Sequence, residues 1–225
     1  TWKFTNNLSS AMIIAGMTVV LIIVAHPWGT RIAIIGGIAS VPAVSIIRSV
    51  AVQLAQSSDS FRWGRIQAWL NPESESSGKG YQIMQGLYAL GSGGLFGKGL
   101  GNSAQKLGAV PEAQNDMIFT IVCEELGVFG AAVLTMLFVF LLYRLFFIAQ
   151  NAPDLLGALI VTGIFAQVAL QVILNIAVVL NVIPATGITL PFISYGGTSI
   201  VFLMAEMGIA LSVADKIRLK DEYTL

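Results

Sequence analysis

At 225 residues, with 56% hydrophobic and only 11% charged residues and a mean hydropathy of +0.80, the chain lacks the polar side chains that a water-soluble globule of its size needs on its surface. Twelve Lys and Arg balance twelve Asp and Glu, so no basic field points to nucleic acid as a partner. One cysteine, Cys123, and one histidine, His26, exclude a disulfide framework, a Cys/His zinc site and an HExxH protease.

What remains is an all-α polytopic integral membrane protein, a single membrane domain over 1–225. The chain opens at Thr1 with no methionine and no signal-peptide pattern, and we read it as a fragment of a longer protein. A spanning helix needs about 20 mostly apolar residues. Stretches at 8–25, 32–54, 117–147, 155–182 and 199–213 reach or approach that length, which predicts five transmembrane helices. An odd number puts the two ends of the chain on opposite sides of the bilayer. With the tail at 214–225 in the cytoplasm, Lys216, Arg218, Lys220, Arg31 and Arg144 all fall inside, as the positive-inside rule requires. The loop at 183–198, free of Lys and Arg, then falls outside. So does the long loop at 55–116, whose basic residues count little because long loops escape the rule. His26, beside Pro27, reads as a solvated residue of a cytoplasmic turn.

A loop as long as 55–116 usually carries function. Within it, FRWGRIQAWL (61–70) and YQIMQGLYAL (81–90) place apolar and aromatic residues at helical spacing, which predicts short interfacial helices. Trp63, Trp69, Tyr81 and Tyr88 suit the headgroup layer, and aromatic anchoring alone accounts for them. The run GSGGLFGKGLG (91–101) does not thread a Walker A motif, because Ser92 stands where glycine is needed and Gly99 where Ser or Thr is needed. It reads as a re-entrant or interfacial turn, or as a backbone nest that sets Lys98 facing a pyrophosphate.

Asp116 directly precedes the apolar run MIFTIV. Its plain reading is a helix N-cap at the positive end of the dipole. Its functional reading pairs it with Glu112, four residues earlier, as carboxylates whose partial desolvation favours general-base use. Glu124 and Glu125 in the third predicted span, and Glu206 in the fifth, are ionisable groups at membrane depth. Each is either a functional-site candidate or a structural group, held by an interhelical hydrogen bond or protonated. Gly127 and Gly130 read as positions of close helix packing. In IPATGITLPFISYGG (183–197) prolines and glycines break the helical pattern. Irregular backbone near membrane depth survives where protein or a wet cavity satisfies it, so Ser194 and Thr198 either line such a cavity or serve the turn. Asn7-Leu8-Ser9 matches a glycosylation sequon, a weak signal.

Taken together, WLNPE (69–73), GKGYQ (78–82), GSGGLFGKGLGNSAQK (91–106), VPEAQNDMIF (110–119), EELG (124–127) and GITLPFISYGG (187–197) resemble the SEDS (shape, elongation, division, sporulation) family of FtsW, RodA and SpoVE. The likeness runs from about residue 7 to the end of the last span, with the motifs in one order. GNSAQK, and APDLLG at 152–157, look more like FtsW and SpoVE of Gram-positive bacteria than like RodA.

The resemblance implies a ten-span enzyme of the bacterial cytoplasmic membrane, of which this chain is the second half. Such an enzyme polymerises lipid II into peptidoglycan on the outer face during septum or spore-cortex synthesis. It works with a class B penicillin-binding transpeptidase and other division or elongation proteins. The family's essential aspartate maps onto Asp116 and its glutamate onto Glu112, while Gln114 and Asn115 stand where the family usually has His and Thr. Asp116 is then the catalytic base. Glu112, Lys98, Lys106, Arg65, Gln105 and Ser194 are the candidate substrate-binding residues. A divalent cation, Mg2+ or Mn2+, with Asp116 as a ligand, or Lys98, Lys106 and Arg65, would supply the positive charge that a leaving pyrophosphate needs. Two other classes stay open: a lipid II flippase using Glu125 or Glu206, and a non-catalytic division scaffold.

Overall fold

The computed structural model describes residues 8–26, 68–74, 79–103 and 114–217. The predicted span at 32–54 and the interfacial segment up to 67 lie outside them. Among the described residues all regular structure is helical, without strands. It forms α1 (Leu8–Ala25), α2 (Lys79–Ser92), α3 (Ile118–Asn151), α4 (Leu155–Val179) and α5 (Gly197–Asp215), with a single 3-10 turn at Pro72–Ser74. Three of these helices, α3, α4 and α5, are long and apolar enough to cross a membrane, and α1 is apolar but shorter.

Helix ends follow local chemistry. The α3 helix runs past the expected end at 147 to Asn151, because no breaker intervenes before Pro153, which cannot continue a helix. Asp154 then caps α4, accepting a hydrogen bond from Gly157 N at 2.9 Å. The α4 helix stops at Val179 rather than 182, where Leu180 N donates back to Ile176 O and Asn181 turns to a positive φ of 55°. The N-cap expected at Asp116 falls instead on Met117, whose side chain makes no capping bond. Thr120 closes that first turn, its backbone N–H and its hydroxyl both donating to Met117 O, at 3.1 and 2.6 Å.

The α4 helix is the hub of the packing, in contact with α1, α3 and α5. Val161, Ile164, Val168, Val172 and Val179 recur at helical spacing along it and are buried. They join Phe138, Leu145 and Ile148 of α3 and Leu203, Ala210 and Val213 of α5 in two apolar clusters, one toward each end of the bundle. On the other side α1 comes close enough that a Cβ on Gly16 would stand 2.7 Å from Leu170 Cδ1. Outward faces are apolar as well: Met136, Leu137 and Phe140 of α3 and Val201 and Phe202 of α5 are exposed. Acyl chains cover such a surface without the penalty water would exact.

One break organises everything near the site. Gly127 interrupts α3 with φ 68° and ψ −168°, a conformation open to glycine alone. Residues 128–151 beyond it are about 36 Å long at ~1.5 Å per residue, enough by themselves for a hydrocarbon layer of about 30 Å.

Candidate active site at the head of α3

The glycine run after α2 is a docked strap. Its backbone lies on the break in α3 and exchanges hydrogen bonds with it. Lys98 N donates to Glu124 O at 2.9 Å and Gly99 N to Glu125 O at 3.0 Å, while Val128 N and Phe129 N donate to Gly94 O and Leu95 O at 3.0 and 3.1 Å. The helix break thus frees two carbonyls and two N–H groups, and the strap satisfies all four. Such closeness excludes side chains. A Cβ on Gly93 would stand 2.0 Å from Cys123 O, one on Gly97 2.2 Å from Glu125 O, and one on Gly127 2.4 Å from Gly97 N. Gly127 therefore admits a strap rather than a neighbouring helix. Since the N–H groups of residues 97, 98 and 99 are given to Gly93 O and to the α3 carbonyls, they do not form the anion nest the spacing allowed.

Beneath the strap, Glu124 has no exposed surface. Its Oε1 accepts from Lys98 Nζ at 2.6 Å with Ser92 Oγ 3.3 Å away, and its Oε2 accepts from Ser103 Oγ at 2.5 Å. A carboxylate survives burial when its charge is paired and its lone pairs are filled. Glu206 is held the same way with a neutral partner: Gln167 Nε2 of α4 lies 3.0 and 3.1 Å from its two oxygens. Of the three glutamates flagged in the spans, Glu124 and Glu206 are thus tied into structural contacts. Glu125 is buried beside the strap, its carbonyl accepting from Gly99.

Asp116 sits in the turn at 114–117, half buried, just ahead of α3. The irregular segment 183–196 folds over this turn. Tyr195 N donates to Gln114 O at 2.9 Å. A Cβ on Gly187 would lie 3.7 Å from Asp116 Oδ2, and Gly187 has φ 69°, so the carboxylate faces the backbone of that loop. Asn175, buried in α4, donates through Nδ2 to Asp116 O at 2.8 Å and to Ile188 O at 2.7 Å. Ser194 serves the turn: its N–H donates to Leu190 O at 3.0 Å and its Oγ accepts from Leu190 N at 2.7 Å. Trp69 ties the preceding loop to the same end of the bundle, its Nε1 donating to Asn181 O at 3.0 Å.

The structure therefore brings Asp116 and the loop containing Ser194 together at the head of α3, and gathers Lys98 with Glu124 under the strap. Arg65, Gln105, Lys106 and Glu112 lie outside the described residues. Among the described residues no three His, Cys, Asp or Glu side chains gather into a metal cage. Sequence reasoning assigned no partner to Asn175, Gln167, Ser92 or Ser103. The two amides were legible in principle, because an amide in a span as apolar as α4 needs a partner as surely as a carboxylate does. The serines were not, since their partner lies more than 20 residues away, 32 for Ser92 and 21 for Ser103.

Comparison with known proteins decides the lineage of this arrangement. The model of the FtsW, RodA and SpoVE family, described as cell cycle protein, matches residues 3–219. The chain belongs to the FtsW/RodA/SpoVE family. Among curated members of the family, stage V sporulation protein E of Bacillus subtilis is 43% identical over 211 residues, covering 92% of this chain and 54% of that protein. The probable peptidoglycan glycosyltransferase FtsW of Trichlorobacter lovleyi is 37% identical over 213 residues, 95% of this chain and 54% of that one. The chain thus spans about half the length of the family members it matches. A chain in a solved structure, described as structural coordination of polymerization and crosslinking by a peptidoglycan synthase complex, superposes with a TM-score of 0.69 at 23% identity, covering all of this chain and 59% of that one. That likeness establishes a shared fold.

Proposed function

We propose that the full protein carrying this chain is a peptidoglycan glycosyltransferase that polymerises lipid II at the outer face of a bacterial cytoplasmic membrane, with Asp116 as its general base. The observation that carries this is the setting of Asp116: a half-buried carboxylate at one end of the bundle, in the turn before α3, facing the Gly187 backbone of an irregular loop. Relatives named as peptidoglycan glycosyltransferases support the substrate class. The five-span topology with a cytoplasmic tail, read from the distribution of Lys and Arg, puts this end outside, on the side of the lipid-linked sugars.

In the reaction Asp116 takes the proton of the acceptor's GlcNAc 4-hydroxyl as that oxygen bonds to the anomeric carbon of the donor. The bond from that carbon to the undecaprenyl pyrophosphate breaks, the electron pair leaves with the pyrophosphate, and the anomeric centre inverts. The base must come within about 3 Å of the hydroxyl oxygen or reach it through one water. Lys98 is engaged with Glu124, so Lys106 and Arg65 are the preferred cationic partners for the leaving group. If a divalent cation, Mg2+ or Mn2+, takes part, Asp116 would hold it together with substrate oxygens, and the ion would supply charge neutralisation at the pyrophosphate. A class B penicillin-binding transpeptidase is the expected partner, in keeping with the crosslinking named for the synthase complex.

A flippase needs intramembrane carboxylates free to meet a headgroup, whereas Glu206 is committed to Gln167. The test is lipid II polymerisation by the full-length protein. Asp116→Asn should lower glycan synthesis by about 100-fold or more, equivalent to about 2.7 kcal/mol of transition-state stabilisation, while the variant still folds. Unchanged synthesis would remove Asp116 as the base.

A further inference from the structure

We infer that Asn175 is a positioning residue for Asp116: its amide, shared between the Asp116 and Ile188 carbonyls, sets where the Asp116 carboxylate stands relative to the loop it faces. The inference rests on the polymerase reading of Asp116 and adds a residue to it.

The first turn of α3 closes on Met117, one residue after Asp116, through Thr120 N, and the Asp116 carbonyl takes a tie from outside that turn. Asn175 provides one from α4. Its side chain is 1% exposed, and its Nδ2 donates to Asp116 O at 2.8 Å, across 59 residues of sequence, and to Ile188 O at 2.7 Å. Two N–H groups on one planar nitrogen are what such a bridge demands. A serine donates once, and an ionised aspartate not at all.

The second arm of the bridge gives it a catalytic consequence. Ile188 follows Gly187, whose absent Cβ would lie 3.7 Å from Asp116 Oδ2. The amide therefore fixes the separation between the backbone of Asp116 and the loop surface in front of its carboxylate. Tyr195 N on Gln114 O, at 2.9 Å, ties the same two segments at a second point, so loss of the Asn175 bridge displaces the carboxylate without undocking the loop. A displacement of about 1 Å at a reacting group lowers turnover by as much as ~10²-fold.

The test compares wild type, Asn175→Ser and Asn175→Ala in the purified full-length protein, with lipid II as substrate, measuring kcat, KM and melting temperature in detergent. Positioning predicts that kcat falls by about 10-fold or more in Asn175→Ala and by less in Asn175→Ser, which keeps one donor, with KM within about two-fold. It also predicts that the serine variant melts within a few degrees of wild type. Wild-type kcat in both variants overturns the inference, as does a loss confined to KM. A serine variant that no longer folds makes Asn175 a stability residue and likewise overturns it. A wild type that makes no glycan overturns the polymerase reading itself, and the positioning role with it.

Discussion

Lys98 Nζ stands 2.6 Å from Glu124 Oε1, the lysine side chain 36% exposed and the glutamate wholly enclosed. The pair joins the glycine strap to the last full turn before the break at Gly127. It solves two problems with one contact: a buried carboxylate gains its counter-ion, and the strap gains a side-chain anchor beside its backbone bonds. The strap in turn holds α2 against the head of α3, where a Cβ on Gly86 would meet Met117 Cε at 2.6 Å. The Lys98 anchor thus lies in the scaffold behind Asp116.

Removing one partner of this pair should cost more than removing both. Lys98→Met leaves a buried carboxylate without its counter-ion, and a loss of about 1–3 kcal/mol of stability is expected, reduced from the value for a fully buried pair because the lysine is partly solvated. Adding Glu124→Gln should restore most of it, since a neutral amide needs no counter-ion. Melting curves of the two single variants and the double give the coupling directly. Simple additivity would show that the pair does not anchor the strap.

Neighbouring glycines should respond in opposite ways to alanine. Gly93→Ala and Gly127→Ala each drive a Cβ within 2.4 Å of backbone atoms that cannot move independently, and Gly127 also sits at positive φ. Both should abolish accumulation of folded protein in the membrane. Gly91, in the last turn of α2, has nothing within 4 Å of its Cβ position. Gly91→Ala should be neutral or stabilising by about 0.5–1 kcal/mol, the ordinary helix-propensity gain. Yield and melting temperature of the three variants separate these outcomes, and equal behaviour would contradict the docked strap.

Glu206 distinguishes the polymerase from a transporter. Glu206→Gln keeps an oxygen within reach of Gln167 and should leave glycan synthesis within about two-fold of wild type, whereas Gln167→Leu, which strips a carboxylate of its donor, should lower stability by about 1–3 kcal/mol. Loss of activity in a well-folded Glu206→Gln protein would instead favour a role for the carboxylate in moving the substrate.

Trp69→Phe tests how firmly the loop before α2 is fixed to the end of α4. It removes the N–H that donates to Asn181 O at 3.0 Å and trims the two-ring indole to a single ring. The expected loss is about 1–3 kcal/mol, the hydrogen bond and the lost ring atoms together. A change below the resolution of the melt would mean that neither the indole N–H nor its second ring fixes the contact.

The sequence by itself determined the class of this molecule and singled out the residue on which its proposed chemistry rests. Its apolar runs are long enough, and its charges scarce enough, that three of the five predicted spans emerge as helices long and apolar enough to cross a membrane. A fourth, at 8–25, emerges as the shorter helix α1 over the same residues. The motif around Asp116 was legible as a potential site because an acid ahead of an apolar helix has few possible roles. Which role a polar residue takes was decided only by tertiary structure. Asp116 does not cap α3, since the cap falls on Met117. Ser194 spends its hydroxyl on Leu190. The glycine run is neither phosphate loop nor free turn but the complement of a helix break 28 residues beyond its own Lys98-Gly99 step, as Gly99 N on Glu125 O shows at 26 residues' separation and Phe129 N on Leu95 O at 34. The reason is physical: hydrophobic periodicity reports which segments leave water, whereas a buried donor or acceptor is satisfied by whichever partner the fold delivers, and those partners are far away along the chain.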